Sequence, residues 1–439
     1  MTICIATPNY LPDTGGITTF NMNLSGLLQQ ASHKVIILTV GYKNNLDDED
    51  ELSVEENGLI VVRLRKRYCS ILKKNTPYFK PGGLDAPNWI AMGIAMREWL
   101  LLNHKTYNID IIETTDYGGL GIFLCDEKLP PIIITGHGSL TQLSKINYKK
   151  NDSHYKVILE LERISFQYAD MILASSRLNQ DDLAKTFKRV THFATAPWDM
   201  RQFGNTQTSE NGYPLIIAGM QIVKGTITMV EALNIIIKKQ PSFAIEWVGS
   251  DFNTAPGAGS TSKYLEKKFP HLWNQKFFWR NSLNREDTRR LLIGTSLVII
   301  PSVFDTFNYV AIEAATLGKP IIMTEKTGAS YLFTHKHNAW IIPADDPEKL
   351  AEGILYLEKN PEIRKKLGSN AQIMAKMVFD RERIVEERIE IYHLAIDTRK
   401  IIKHSLEGEM AFLKNYINPA RKAYYRLRVF LKRILKGRS

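Results

Sequence analysis

The sequence predicts an α/β protein of two doubly wound, parallel-sheet domains facing each other, followed by a basic amphipathic helical extension. Three observations predict it. Short apolar runs alternate with helical repeats along the chain, the pattern of strand–helix–strand units. That alternation breaks once, from Ala196 to Tyr213, and then restarts. The runs carry no polar alternation, as in Leu297 to Ile300, so both faces of each strand are buried. At 439 residues the chain exceeds one ordinary core, and 44% apolar residues are enough to fill two.

Taken in order, Ile3 to Ala6 is the first strand, Thr7 to Gly16 a loop, and Ile17 to Ala31 a helix, with Val35 to Val40 the next strand. The Gly15–Gly16 pair at the first strand-to-helix turn has two readings. It is either a plain tight turn or a place where backbone approaches a ligand and the helix N-terminus favours an anion. The acidic run Asp47 to Glu51 reads as a solvated loop. So does the turn-rich, basic segment from Arg65 to Pro87, with an acceptor groove as its second reading. Strands resume at Ile109 to Ile112, Ile132 to Thr135 and Met171 to Ala174. Asp116, in ETTDYGG, follows the first of these, and His137, in TGHGS, follows the second. Both fall at the C-terminal edge of the sheet, where ligands bind; His137 reads equally as a ligand contact or as loop packing.

After the break, Leu215 to Ala218, Ala244 to Val248, Lys276 to Trp279 and Leu297 to Ile300 are strands, and Thr226 to Lys238 is a helix. The stretch Leu297 to Met323 is the most informative. Its strand ends at Pro301, and a polar turn carries Asp305, Thr306 and Asn308. Val310, Ala311, Ala314 and Leu317 then recur at helical spacing until Gly318 and Pro320 stop the helix. Asp305 therefore stands at the strand-to-helix mouth, with Glu313 inside the helix.

Charge is distributed unevenly. Eleven Lys or Arg and two Glu fall between Lys400 and Ser439, leaving a near-neutral body from a formal charge of +11. Ala423, Tyr424, Leu427, Phe430, Leu431, Ile434 and Leu435 share one helical face of this tail, and basic residues share the other. That pattern fits an anionic membrane surface, with residues 419–436 as the contact, or else a helix packed on the body with a solvated basic face. No nucleic-acid-binding motif accompanies the charge. The three cysteines, Cys4, Cys69 and Cys125, show no paired or metal-ligand spacing, which points to a reducing cytoplasm. The N-terminus reads as a core strand without a basic leader. The most apolar helical window, Trp89 to Leu102, is broken by Arg97 and Glu98.

These residues carry a resemblance. PSVFDTFNYVAIEAATLGKP resembles the PS-x-x-E-x-F-G-x-x-x-x-E-A-x-A-x-G-K-P stretch of the retaining glycosyltransferases of family 4, matching at Pro301, Ser302, Phe307, Glu313, Ala314, Gly318, Lys319 and Pro320. AGMQIVKG is similar to the family's G-R-x-x-x-x-K-G, matching at Lys224 and Gly225. Among the positions that depart, Asp305 replaces the first Glu, Asn308 a glycine, and Gly219 the phosphate-binding arginine.

The resemblance implies two Rossmann-like domains (the GT-B fold): an acceptor-side domain over 1–203, a linker over 204–213, a donor domain over 214–380, a crossover helix over 381–398, and the basic tail over 399–439. It implies transfer from a nucleotide-sugar donor to a glycan or lipid-linked acceptor, with His137, Lys224, Asp305 and Glu313 as the catalytic set. Glu313 would hold ribose hydroxyls. Asp305 and the amides of Thr306, Phe307 and Asn308 would bind the donor sugar, and Lys224 with the amides after Gly15 and Gly16 would take the diphosphate. His137 would touch the sugar, and Asp116 the acceptor. Neither a metal site nor a cofactor is expected, and no nucleic acid partner. Two further readings stand beside it: a non-catalytic sugar-binding or scaffold protein, motivated by Gly219 and Asn308, and an epimerase or phosphorylase of similar architecture.

Overall fold

Apolar runs buried on both faces pair as parallel strands, and helices return the chain between them. In the computed structural model, which describes residues 1–41, 49–55, 57–76, 86–148, 153–203, 209, 212–399 and 406–415, they form two sheets. The N-terminal sheet comprises β1 (Thr2–Ala6), β2 (Lys34–Thr39), β3 (Glu51–Val54), β4 (Ile60–Arg63), β5 (Ile111–Thr115), β6 (Ile132–Gly136), β7 (Met171–Ala174) and β8 (His192–Phe193). Their order is β3-β4-β2-β1-β5-β6-β7-β8, parallel throughout except for the β3–β4 hairpin. The C-terminal sheet comprises β9 (Leu215–Ile217), β10 (Ile245–Val248), β11 (Phe277–Arg280), β12 (Val298–Ile300), β13 (Ile321–Thr324) and β14 (Trp340–Ile342). It is wholly parallel, in the order β11-β10-β9-β12-β13-β14.

In each sheet the strand order reverses once, between β1 and β5 and between β9 and β12. At such a switch point neighbouring connections leave on opposite faces, and a crevice opens beyond the strand ends. The two-domain α/β architecture read from the sequence is present in both halves.

Two local expectations are corrected. Arg65–Asn75 is a helix, not a loop, because Tyr68, Cys69 and Ile71 form an apolar face that packs into the N-terminal core. Glu51 opens β3 and its carboxylate faces Arg63, so the end of the acidic run is strand rather than solvated loop. Residues 77–85 of the basic segment and 47–48 of the acidic run lie outside the described residues. The apolar window around Trp89 is the helix Ala86–Asn103, in which Arg97 is buried against Asp126. No helix among the described residues is long and apolar enough to cross a membrane.

The domains share a core at their hinge side. One apolar cluster runs from Ile3 and Phe20 through Trp198 to Phe307, Ala311 and Tyr392. Trp198 is fully buried, and its indole N–H donates to Thr316 Oγ1 at 3.0 Å. The helix Arg381–Asp397, capped by Asp380, crosses back to the N-terminal sheet, where Arg388 and Tyr392 meet Glu113. The chain then packs on the N-terminal domain through Met410 and Leu413, both 2% exposed. Arg399, Met410 and Leu413 are thus anchored on the N-terminal domain, and residues 400–405 and the amphipathic stretch 419–436 lie outside the described residues. Most of the linker, 204–208 and 210–211, also lies outside them.

Candidate active site at the facing switch points

In the C-terminal domain the turn after β9 and the turn after β12 meet. Gly225 makes this possible: its φ is +76°, and a Cβ there would lie 1.8 Å from the Pro301 carbonyl oxygen. Lys224, ending the short helical turn Ile222–Lys224, donates from Nζ to Asp305 Oδ2 at 2.7 Å. The Lys224 side chain remains 24% exposed while that of Asp305 is 8% exposed, so the ammonium faces the cleft. Asp305 is fixed from its backbone too: its N–H donates to the Lys326 carbonyl and its C=O accepts from Gly328.

Asn308 explains its own departure from the motif. Its φ is +85°, a region glycine enters freely and asparagine enters more readily than most residues. Its Oδ1 caps the helix Tyr309–Thr316 by accepting from Ala311 N at 3.0 Å. Its Nδ2 donates to Asp305 Oδ2 at 2.9 Å, a bond glycine lacks. Thr306 and Phe307 are buried, Phe307 in the shared core.

Glu313 lies on that helix, half-buried, and no hydrogen bond to its carboxylate is found among the described residues. Burial pushes its carboxyl up to about 7, with Arg285 opposing the shift. This carboxylate has desolvation without a donor, which is the condition of a site awaiting hydroxyl or N–H groups.

At Gly219 a Cβ would lie 2.8 Å from Phe252 Cε2 and 3.3 Å from Gln221 Nε2. The ring of Phe252 therefore takes space an arginine side chain would enter. Arg280 is paired with Glu246 at 2.5 Å, at the far edge of the sheet, and Lys326 supplies its carbonyl to Asp305.

In the N-terminal domain Gly15 has φ +136°, and a Cβ on Gly15 or Gly16 would meet nothing within 4 Å. The turn is thus open on the cleft side, at the N-terminus of the helix Gly16–Gln30. His137, just past β6, is held by its backbone: its N–H donates to Asp116 Oδ1 at 2.9 Å, and its carbonyl accepts from Thr306 Oγ1 at 3.1 Å. Phe20 meets the imidazole edge-on at 4.5 Å. Burial, with Arg388 adding to it, pushes His137 down to about 3, so the ring is neutral near pH 7.

Asp116 is 1% exposed, and its two oxygens accept the N–H groups of His137 and Gly138. Its carboxyl is raised to about 6 by burial, partly offset by those bonds. The structure therefore makes Asp116 a brace beneath the His137 loop, not a carboxylate presented to the cleft. Glu162 is a second brace, accepting from Gly118, Leu140 and Thr141, with burial raising it to about 7.

The two mouths touch. Beyond the Thr306–His137 bond, Ser176 Oγ donates to the Thr306 carbonyl at 2.6 Å. Asn147 accepts from Val223 N at 2.8 Å and donates to Gln221 Oε1 at 3.2 Å, clasping the turn that carries Lys224. Hydrogen bonds thus join Lys224, Asp305 and Asn308 and tie Thr306 to the His137 loop; Glu313 lies on the helix that Asn308 caps, and Gly15 and Gly16 open the helix whose Phe20 meets His137. Sequence reasoning missed Asn147, Ser176 and Glu162, which carry no motif signal. It also passed over Glu113, which did carry one: a lone carboxylate in a strand buried on both faces. No cluster of three or more His, Cys, Asp or Glu placed to hold a metal ion occurs among the described residues.

Comparison with known proteins fits this arrangement. Residues 14–192 match the family model described as Glycosyltransferase Family 4, and residues 203–374 that of the Glycosyl transferases group 1. An uncharacterized glycosyltransferase of Methanocaldococcus jannaschii is 32% identical over 378 residues, spanning 84% of this chain and 91% of that protein. Among solved structures, sucrose-phosphate synthase from Thermosynechococcus elongatus superposes with a TM-score of 0.67 at 17% identity, covering 91% of this chain and all of that one. Anabaena HepE in complex with UDP-glucose gives a TM-score of 0.63 at 15% identity, covering 90% of this chain and all of that one. Family models that follow one another along the chain and a relative alike over almost its whole length agree with the two facing sheets: the chain belongs to the group 1 glycosyltransferases, of the family 4 type, with the GT-B fold.

Proposed function

We propose that this glycosyltransferase moves a sugar from a nucleotide-sugar donor to a glycan or lipid-linked acceptor, with retention and without a metal, in cell-surface polysaccharide synthesis. The observation that carries the donor assignment is Glu313. Its desolvated carboxylate lacks a donor, on the helix that starts beside the Lys224–Asp305 pair. A ribose offers two adjacent hydroxyls to such a group. From there the diphosphate reaches Lys224, whose ammonium exchanges Asp305 for a phosphate oxygen as charge builds on the leaving group. The open Gly15–Gly16 turn adds backbone N–H groups from the opposite wall. His137, neutral and fixed by its backbone, offers the sugar a hydrogen bond rather than a proton.

The UDP-glucose complex of HepE, and an O-antigen chain mannosyltransferase of Escherichia coli that is 25% identical over 120 residues, support a nucleotide-sugar donor and a surface-glycan acceptor. The test is a thermal-shift screen with UDP-, GDP-, ADP- and dTDP-sugars, with and without EDTA, then NMR of the product's anomeric centre. Binding to none of them refutes the donor assignment; an inverted product refutes retention. Activity that survives Glu313→Ala and Lys224→Ala unchanged would place the chemistry elsewhere.

The tail extends the proposal to the inner face of the cytoplasmic membrane. Met410 and Leu413 seat the chain on the N-terminal domain just before residues 419–436, so a membrane-bound tail would hold the acceptor-side domain near lipid. Full-length protein should co-sediment with anionic vesicles and the 1–415 protein should not. Truncation at 399 would remove the Met410–Leu413 anchor as well, and so would not isolate the tail.

A further inference from the structure

Arg388 lies on the inner face of the helix Arg381–Asp397 and is 1% exposed. A guanidinium tolerates such burial only when paired. Its Nη1 stands 3.2 and 3.5 Å from the two oxygens of Glu113 on β5. Glu113, 2% exposed, also accepts the Tyr392 hydroxyl at 2.6 Å and the Thr135 hydroxyl at 2.7 Å. Thr135 is in β6, two residues before His137. The guanidinium carbon also sits 5.6 Å from the centre of the Phe20 ring, whose edge meets His137 at 4.5 Å. Arg388 thus reaches His137 by two routes, through Glu113 and Thr135 in the strand and through Phe20 against the imidazole. The charged or titratable groups whose fields reach it are Glu113, Glu387, Tyr309, Tyr392 and His137.

The same helix is fixed to the loop after β8, where Glu387 accepts from Thr195 N at 3.0 Å. It follows the donor domain in the chain and packs on the acceptor-side domain. Its Arg388 and Glu387 contacts hold it to that domain. His137 in turn takes the Thr306 hydroxyl from the donor domain on its carbonyl. His137 therefore sits between Phe20, over which Arg388 of the crossover helix lies, and Thr306 of the donor domain.

We infer that Arg388 is a positioning residue for glycosyl transfer: carried on the crossover helix, it aligns the Phe20–His137 pair with the donor sugar. The inference rests on the glycosyl-transfer reading of the cleft. Arg388 itself touches no substrate, and the donor-binding side chains Glu313, Lys224 and Asp305 stand on other elements. Its loss should therefore lower turnover and leave donor affinity alone.

The experiment is a double-mutant cycle in the full chain between Arg388→Met and His137→Ala, with kcat and donor Kd measured for each. Misalignment of a reacting group lowers rate on the order of tenfold to a hundredfold. Arg388→Met should show such a fall in kcat with donor Kd within about twofold of wild type, and should add nothing in the His137→Ala background. Because Arg388→Met strands the Glu113 carboxylate, Glu113→Gln/Arg388→Met, which removes both charges, is run beside it. Additive losses, or a turnover near wild type in the folded double variant, overturn the inference. So does a loss confined to donor Kd.

A second readout needs no activity. The His137 imidazole C2–H resonance, identified by its absence in His137→Ala, carries the ring current of Phe20. It should shift in Glu113→Gln/Arg388→Met, and an unmoved resonance overturns the positioning role. If wild-type protein transfers no sugar from any donor, the functional reading fails and this resonance alone decides whether Arg388 sets His137.

Discussion

Glu313 permits a pH experiment in which two effects of one group have opposite signs. Its carboxyl is raised from 4.5 to about 7 by burial. The folded protein then holds this proton more tightly than the unfolded chain, so the group's contribution to stability falls as pH rises from 4.5 towards 7. Donor binding runs the other way, because ribose hydroxyls donate to the carboxylate and only the ionised form accepts both. Below the titration point, apparent affinity falls about tenfold per pH unit, or about 1.4 kcal/mol. Between pH 8 and pH 6 the Kd for a nucleotide sugar should rise about tenfold. Isothermal titration with UDP-glucose, or with whichever nucleotide sugar the screen selects, reads this directly. A nucleotide sugar serves better than a free nucleoside diphosphate, whose terminal phosphate titrates in the same range. Asp116 and Glu162 also titrate near here, at about 6 and about 7, but they brace the opposite wall. Glu313→Gln separates them: it should bind more weakly at pH 8 and show a flat profile. A wild-type profile as flat as that of Glu313→Gln, or a Glu313→Gln profile as steep as wild type, refutes the assignment of Glu313 to the ribose.

Other substitutions test the rest of the mouth. Lys224→Met removes a charge-assisted contact to the diphosphate and should weaken donor binding by about 1.5–3 kcal/mol, measured by the same titration; unchanged affinity would detach Lys224 from the phosphates. Gly225→Ala places a Cβ 1.8 Å from the Pro301 carbonyl oxygen, at φ +76°, where both obstacles are backbone. It should destabilise by more than about 3 kcal/mol, seen as a depressed Tm or insoluble protein, and a wild-type Tm would contradict the turn geometry. Asn308→Gly restores the motif residue and forfeits the cap, a loss of about 1 kcal/mol or less. Asn308→Val also forces a β-branched residue to φ +85° and should lose a further 1–3 kcal/mol or so; equal melting of the two variants would argue against backbone strain at 308.

Where packing follows sequence period, the chain was legible. Most strands of both sheets are written in short unbroken apolar runs, and the strand-to-helix mouth at Asp305 in such a run followed by apolar residues at helical spacing. The helix Arg65–Asn75 escaped because its basic residues mask a short apolar face of Tyr68, Cys69 and Ile71. The β3–β4 hairpin escaped because Leu52 and Val54 are exposed on an edge strand that half lacks a hydrophobic pattern. Asn147 and Ser176 escaped for a different reason. Each reaches across to the other domain by hydrogen bonds formed only when two distant turns meet, and no local pattern encodes such a meeting.

The four carboxylates at the mouths show why residue type alone could not assign roles. Asp116, Glu162, Asp305 and Glu313 all follow strands or line adjoining helices, and each invites a ligand-binding reading. Their partners separate them. Asp116 and Glu162 spend their oxygens on backbone N–H groups of the His137 loop, which fixes that loop and leaves little capacity for substrate. Asp305 shares one oxygen between Lys224 and Asn308, so it is organised yet exchangeable once a phosphate draws the ammonium away. Glu313 alone is desolvated with no donor among the described residues. Its half-buried oxygens therefore remain open to a ligand's donors. Gly219 fits the same logic. With Phe252 over it, the turn after β9 would, on the proposed donor reading, offer a diphosphate one ammonium instead of two cations. The Gly15–Gly16 amides must then hold a larger share of the leaving group's charge. Replacing Gly16 with proline, which deletes one of those N–H groups at a position where a Cβ meets nothing within 4 Å, should lower kcat more than it raises donor Kd. A Gly16→Pro enzyme with wild-type kcat would show that Lys224 alone suffices for the departing diphosphate.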